Sequence, residues 1–184
     1  MSIDRMIIRV AVGIVAVVLV LAVVLRADEV ESIASVEIGA PPDVVWAMLT
    51  DPDQRHRWME SVTGATQTMG AYGAASSSMI LSVKQDGKLH NIYEDVTTAA
   101  PPLLLHTAID DPDGVLSLRT AYELKPAGPG GIRTRLKITA IRGLDGILAP
   151  FFAVVVQQRS DENVEYNARG LKMAVESDYL DRDL

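Results

Sequence analysis

The chain has 184 residues, of which 48% are hydrophobic and 22% charged, and its formal net charge is −7. This composition is too apolar for a disordered chain, and the acidic balance argues against a nucleic-acid partner, which needs a concentrated basic face. Cysteine is absent, which excludes disulfides, thiolate metal sites and a cysteine nucleophile.

The first segment of the chain is continuously apolar. Residues 10–25 read VAVGIVAVVLVLAVVL, and with residues 6–9 the run is long enough to span a bilayer, at roughly 30 Å of helix. A cleaved signal peptide is the alternative, but the run exceeds the usual apolar region of such peptides. Cleavage after Ala27 would also leave Leu25 where a small residue is required. We therefore predict a single-pass transmembrane anchor at residues 1–26.

The charges around this anchor predict its orientation. Arg5, Arg9 and the amino terminus precede the apolar run, whereas Arg26 alone follows it before Arg55. Positive residues favour the cytoplasmic side, so we expect a cytoplasmic amino terminus and an extracytoplasmic folded domain at the cell membrane. The predicted domains are then the anchor, a linker at 27–31, a folded domain at 32–180 and a tail at 181–184.

The folded domain is predicted to open with a strand and two helices. Residues 32–38 alternate as a strand does and end at Gly39 and a pair of prolines. Pro42 suits the first turn of a helix, which Asp51 and Pro52 then end. The same Asp-Pro pair caps a second, short helix that extends to about Trp58.

Beyond Glu60 the apolar residues recur with period two, which is typical of strands. Turn residues at 86–87, 110–114 and 126–131 join these strands as antiparallel hairpins. Six strands are predicted in this region, at Val62–Met69, Ala75–Gln85, Lys88–Val96, Leu103–Asp110, Val115–Lys125 and Ile132–Arg142.

The end of the chain has the spacing of a long helix, which Pro150 starts or kinks. Its apolar positions recur up to Val155 and again from Val164 to Val175, with a polar interval at 157–162. This stripe is expected to cover one face of the sheet. Residues 147–156 are also apolar enough to contact a bilayer and gate ligand entry, but burial against the sheet is the favoured interpretation.

Three motifs then carry a resemblance to a known family: VEIGAPPDVVWAMLTDPDQRHRWMESV at 36–62, GGIRTRLKITA at 130–140 and ENVEYNARGLKMAVES at 162–177. The sequence resembles the START-like, or SRPBCC, superfamily, in particular its polyketide cyclase/dehydrase and lipid-transport branch. The resemblance covers residues 31–177. It implies an α+β helix-grip fold, a curved antiparallel sheet of about seven strands over a long carboxy-terminal helix, here preceded by the transmembrane helix. It also implies that Trp46 and Trp58 are packing anchors.

The sequence contains no constellation typical of catalysis. Paired metal ligands, a glycine-rich phosphate loop and a nucleophile elbow are all missing from it, so we predict no catalytic residue, no metal and no cofactor. Glu94 and Asp95 are successive strand residues, so one should point inward as a general acid, or, as we favour, the pair marks a bulge or an inner-edge acid that is paired with an arginine. The polar groups predicted to reach a cavity are Tyr93, Glu94 and His106.

An apolar space between the sheet and the final helix is the predicted ligand site, and a filled core without a cavity is the alternative. The leading hypothesis is a domain that binds or carries a lipid or another small hydrophobic ligand without turnover. A cyclase- or dehydratase-like enzyme and a protein-interaction module at the membrane are the alternatives, and the sequence specifies no particular protein partner. The residues predicted to line the site are Leu118, Thr120, Tyr122, Leu136, Ile138, Phe152 and Val155.

Overall fold

Seven strands build the greater part of the domain. The computed structural model describes residues 29–85, 87–110, 117–143 and 149–180. The predicted anchor, residues 27–28 of the linker and the tail lie outside these ranges, as do parts of the first two predicted turns. In the described ranges the strands are β1 Glu29–Ile38, β2 Val62–Met69, β3 Ser78–Gln85, β4 Lys88–Ala100, β5 Leu104–Asp110, β6 Ser117–Ala127 and β7 Arg133–Gly143.

Three helices accompany these strands in the same ranges: α1 Pro42–Thr50, α2 Arg55–Trp58 and α3 Ala149–Leu180. A short 3₁₀ turn, Pro52–Gln54, links α1 to α2. The predicted α+β class and the long carboxy-terminal helix are confirmed. Over the described ranges, no helix has the length and apolarity needed to cross a membrane.

All seven strands form one antiparallel sheet in the order β1-β7-β6-β5-β4-β3-β2. The first strand therefore pairs with the last, from Glu29 opposite Gly143 to Ile38 opposite Thr134. Register shifts interrupt β2 against β3 and also β4 against β5. Such bulges bend and twist a strand, so the sheet curves around the helix that it faces.

The corner between β1 and β2 holds the short helices in place. Pro42 occupies the first turn of α1, and the Asp51 carboxylate accepts a hydrogen bond from the Asp53 amide at 2.9 Å. A Cβ added to Gly170 would lie 2.6 Å from the Trp58 carbonyl oxygen. Glycine is therefore required where α3 crosses the end of α2, because any side chain would separate the two helices.

The core lies between the concave face of the sheet and the carboxy-terminal half of α3. Trp58 is buried in it, as its predicted packing role implies, and Trp46 is partly buried against it. The helix contributes five apolar residues on one face: Val164, Ala168, Leu171, Ala174 and Val175.

The amino-terminal half of α3 packs differently. Val154 is 78% exposed and Val155 is 55% exposed, so the favoured expectation that residues 147–156 are buried against the sheet is wrong for these two side chains. The physical reason lies one turn further on, where Gln157 Nε2 donates to the carbonyl oxygen of Glu31 at 2.8 Å. That contact turns the polar side of the helix toward β1.

Candidate functional site

The short helix α2 places an arginine and a tryptophan under the sheet. The Met59 amide donates to the Arg55 carbonyl at 3.0 Å, which closes a single helical turn. Arg55 and Trp58 lie on the inner side of this turn and are fully buried, whereas His56 between them is exposed. A buried arginine requires compensation by an anion, and the structure supplies one.

That anion is Glu94, the inward residue of the Glu94-Asp95 pair on β4. Its Oε2 lies 3.1 Å from Arg55 Nη2, and both side chains are buried. Tyr72 completes a triangle, since its hydroxyl donates to Glu94 Oε2 at 2.7 Å and accepts from Arg55 Nη2 at 2.6 Å. The favoured interpretation of an inward acid paired with an arginine thus describes what Glu94 does.

Aromatic rings enclose the guanidinium of Arg55. Its Cζ lies 4.9 Å from the ring centroid of Trp58 and 5.0 Å from that of Tyr72. Trp58 in turn meets Tyr122 of β6 edge-to-face, with centroids 6.3 Å apart. Cation–π contacts and an edge-to-face pair stabilise this arrangement and exclude water from it.

The protonation of the cluster follows from this environment. Burial tends to lower the pKa of Arg55, but the charge of Glu94 and the two tyrosines outweigh it, so that pKa is raised. Burial is also the main cause that raises the pKa of Tyr72, and it raises the pKa of Tyr122 to about 12. Both phenols are therefore protonated at neutral pH, and Tyr72 donates a hydrogen bond to Glu94 in this state.

A cavity of about 40 Å³ lies beside this cluster, between the sheet and α3. Such a volume accommodates water, whereas a cavity of about 150 Å³ is needed to admit benzene. The cavity is enclosed by sheet residues on one side and helix residues on the other. The lining residues are Met59, Glu94, Ile109, Leu118, Thr120, Tyr122, Ile138, Ala140, Arg142, Ser160, Asn163, Val164 and Asn167.

The helix presents polar groups to this cavity. Ser160, Asn163 and Asn167 recur at helical spacing on the side of α3 that faces the sheet, and Ser160 is 2% exposed. Asn167 Nδ2 donates to Asn163 Oδ1 at 3.2 Å, while the Asn167 Oδ1 atom is buried without a partner in the described part of the chain. The cavity is thus apolar beside Ile138 and polar beside Ser160, Asn163 and Asn167 of the helix.

The sequence-predicted site residues divide between this cavity and other places. Leu118, Thr120, Tyr122, Ile138 and Glu94 line it. Leu136 is buried in the adjoining core instead. The side chain of Phe152 lies outside what the structure describes.

Three predicted residues point elsewhere. Val155 is exposed on α3, and Tyr93 is 47% exposed because it precedes the inward Glu94 and so faces the outer side of the sheet. His106 lies between the inward Leu105 and Thr107 and therefore also faces outward. These positions correct the expectation that Tyr93 and His106 reach the cavity, because the strand register turns them away.

Sequence reasoning missed several polar residues of the site. Arg55 belongs to a segment whose polar neighbours indicate a surface turn, and Tyr72 belongs to a loop without periodicity. Ser160, Asn163 and Asn167 gave a usable signal, since polar residues at three- and four-residue spacing beside Val164 and Ala168 indicate a polar stripe on a buried helix face. Across the described ranges, no group of three or more His, Asp or Glu residues could hold a metal.

Two larger depressions lie on the surface formed by the described residues, away from the cluster. One of about 340 Å³ separates α1 from the end of α3, and another of about 570 Å³ lies between the start of β1 and α3. Both are lined in part by carboxylates, such as Asp43 and Asp51 in the first and Asp161 and Glu162 in the second. Neither gives the dry enclosure that a hydrophobic ligand requires.

The profile of the family described as "Polyketide cyclase / dehydrase and lipid transport" matches residues 30–176. That match spans most of the chain and includes the α2 corner, the cavity and nearly all of α3. No curated protein has a sequence that matches the chain significantly.

Solved structures show the same fold. A protein from Thermus thermophilus is 21% identical with a TM-score of 0.65, covering 80% of this chain and 97% of its own. A START superfamily protein from Mycobacterium smegmatis is 18% identical with a TM-score of 0.64 and the same coverage. A di-domain ARO/CYC protein from the BE-7585A biosynthetic pathway is 11% identical with a TM-score of 0.65, where 79% of this chain covers 46% of that one.

Proposed function

Since the chain belongs to the polyketide cyclase / dehydrase and lipid transport family, we propose that its domain binds a lipid or another small hydrophobic molecule between the sheet and α3. The ligand contacts Leu118, Thr120, Tyr122 and Ile138 from the sheet. It is held or carried without chemical turnover. The observation that carries this proposal is the enclosed cavity, in which apolar strand residues face polar groups of the helix.

The small volume of the cavity requires that binding displaces part of the protein. The amino-terminal half of α3 is the element that moves, because Val154 and Val155 are exposed there and the contact of Gln157 with β1 lies at the surface. Each buried methylene of the ligand contributes about 0.8 kcal/mol, so an acyl chain of ordinary length offsets the loss of one exposed hydrogen bond.

Residues 1–26 place the domain at the membrane in this proposal. The amino terminus lies in the cytoplasm and the domain outside, as the positions of Arg5, Arg9 and Arg26 favour. Extraction of cell membranes with alkaline carbonate should leave the protein in the pellet, and protease added to cells whose cytoplasmic membrane is intact should digest the domain. Release by carbonate would contradict the anchor, and protection from protease would contradict the orientation.

The binding proposal is tested by native mass spectrometry of the full chain purified from its membrane. We expect a hydrophobic molecule to co-purify with the wild-type protein. Ala140→Leu should reduce its amount severalfold, because Ala140 is 4% exposed and lines the cavity. Ala121→Leu is the matched control, since Ala121 belongs to the neighbouring strand and faces the opposite side. Absence of any bound molecule, or equal loss in both variants, would contradict the proposal.

A second candidate function is a cyclase- or dehydratase-like enzyme. It is favoured by one observation, that Glu94 and Tyr122 line the same cavity. Tyr122 is protonated at neutral pH and can donate to a carbonyl oxygen, while the Glu94 carboxylate can accept a proton if its bonds with Arg55 and Tyr72 loosen. Such an arrangement suits enolisation followed by loss of water.

This alternative is tested by incubating the protein with a poly-β-ketoacyl thioester and following the loss of water by mass spectrometry. Turnover that is abolished by Glu94→Gln and retained by Asp95→Asn, with both variants folded, would establish catalysis. Asp95 is the matched control because it adjoins Glu94 and faces outward. Unchanged thioester with the wild-type protein would favour binding alone.

A further inference from the structure

Arg142 occupies an unusual position in the cavity wall. It lies near the end of β7, opposite Val30 on one side and Leu118 on the other. Its side chain lines the cavity together with Glu94, and its Nε atom is buried without a hydrogen-bond partner among the described residues. Burial lowers the pKa of Arg142, which reflects the loss of water around its charge.

Other arginines of the described ranges have carboxylate partners or free access to water. Arg55 pairs with Glu94, Arg57 with Asp178 and Arg133 with Glu37. Arg135 forms no ion pair within the part of the chain that the structure describes, but it is exposed. Arg142 is the partly buried arginine in these ranges whose charge is not paired.

The charges around the cavity do not compensate Arg142. Glu94 is the carboxylate of the described lining, and Arg55 and Tyr72 already use one of its oxygens. The facing residues of α3, Ser160, Asn163 and Asn167, are neutral. Together with the adjoining Arg55, the described groups therefore carry two positive charges and one negative charge, in a space where an unpaired cation destabilises the fold.

We propose that the cavity selects hydrophobic carboxylic acids, whose carboxylate pairs with Arg142 while the apolar part contacts Leu118, Ile138 and Val164. This inference rests on the proposed function, because it names the class of ligand that the same cavity takes. The planar guanidinium matches a carboxylate in a two-point hydrogen-bonded pair, which a neutral alcohol cannot form. The described lining residues of the facing helix carry no negative charge that would repel an anion there.

The acid could be aliphatic or aromatic, and two pairs of probes distinguish these two chemical classes. Octanoate is compared with 1-octanol, and 2-naphthoate with 2-naphthylmethanol, by calorimetric titration of the full chain in detergent at pH 7. We expect at least one acid to bind about tenfold or more tightly than its neutral counterpart. The acid that binds more tightly identifies the chemical class of the ligand.

Two variants test whether Arg142 causes the preference for acids over alcohols. Arg142→Met should weaken binding of the preferred acid about tenfold and leave the neutral counterpart unchanged, because the methionine keeps the apolar stem and removes the charge. Arg135→Met is the matched control, since Arg135 belongs to the same strand and faces solvent. It should change neither affinity.

A stability measurement separates this role from a structural one. Without ligand, Arg142→Met should keep or raise the thermal midpoint, since it removes an unpaired buried charge. A fall in the midpoint would overturn the proposal, because Arg142 would then serve the fold itself. Equal binding of acids and alcohols, unchanged in Arg142→Met, would overturn the selectivity and leave the cavity function intact. Failure of all four probes to bind would overturn both.

Discussion

At the scale of single residues, the triangle of Arg55, Tyr72 and Glu94 places two opposite charges in the buried interior of the protein. A buried ion pair adds little stability compared with an apolar pair of the same shape, but half of such a pair is very unfavourable. The two phenols and the ring of Trp58 make the pair tolerable, because they provide hydrogen bonds and cation–π contacts where water is excluded.

We therefore expect strong coupling between the two charged residues. Arg55→Met should lower the free energy of unfolding by about 3–5 kcal/mol, since it leaves Glu94 buried and unpaired. The double variant Arg55→Met/Glu94→Gln should recover a large part of that loss. Urea unfolding of the two single variants and the double variant measures the coupling, and additive losses would contradict it.

At the scale of secondary-structure elements, the crossing of α2 and α3 depends on Gly170. Glycine within a helix is normally less stable than alanine by about 1 kcal/mol. Here the contact with the Trp58 carbonyl reverses that preference, because an added Cβ would meet backbone atoms that cannot move alone.

Gly170→Ala is thus expected to destabilise the protein by about 1–3 kcal/mol, despite its better helix propensity. Thermal unfolding followed by circular dichroism measures the change. Gly64→Ala serves as the control, because a Cβ at Gly64 meets nothing within 4 Å among the described residues. A higher midpoint for Gly170→Ala would show that the helices separate easily.

The end of α3 is joined to the β1–α1 corner through Glu176. Its Oε1 accepts from the Gly39 amide at 2.7 Å and from Lys172 Nζ at 2.7 Å. Burial alone would raise the pKa of Glu176, but the hydrogen bonds from Lys172 and Gly39 together lower it. A carboxylate with a lowered pKa stabilises the fold above its unfolded pKa, and this contribution is lost as the pH falls.

Glu176→Gln should accordingly reduce stability by about 0.5–1 kcal/mol at pH 7, and the difference from wild type should shrink toward pH 3. Urea titrations at several pH values measure it. Glu165→Gln provides the comparison, since the ion pair of Glu165 within the described ranges is an exposed one with Arg169 on the same helix. A difference that grows on acidification would contradict the assigned role.

At the scale of the whole molecule, the packing between α3 and the sheet is uneven. It is dense at the carboxy-terminal end of the helix and leaves a cavity nearer the amino-terminal end. The carboxy-terminal half of α3 packs Ala168, Leu171 and Val175 into the core, whereas residues 160–167 border the cavity and the start of the helix exposes Val154 and Val155. Local stability follows buried apolar contacts, so the two halves should open with different free energies.

Amide hydrogen exchange should be at least about tenfold slower for residues 171–175 than for residues 156–160. If a ligand binds by displacing the amino-terminal half of α3, amide exchange in that half should change further when octanoate or 1-octanol is added. Mass spectrometry of peptic fragments resolves the two halves. Uniform exchange along α3 would contradict a helix that moves at one end.

The sequence permitted the fold to be predicted because its signals are local. Alternation marked the strands, turn residues separated them, and the Asp51-Pro52 pair marked the helix corner. The site was only partly predictable for the opposite reason. Glu94 could be placed inward from alternation, but its partner Arg55 belongs to another element, and the outward direction of His106 depends on a strand register that periodicity alone does not determine.

The pairing of β1 with β7 governs how the domain can assemble during synthesis. The opening strand bonds along its length to the closing strand, so it has no partner until nearly all of the described sheet has left the ribosome. Until then its backbone donors and acceptors remain available to other chains. We therefore expect interrupted synthesis before residue 133 to yield aggregates and no partly folded domain.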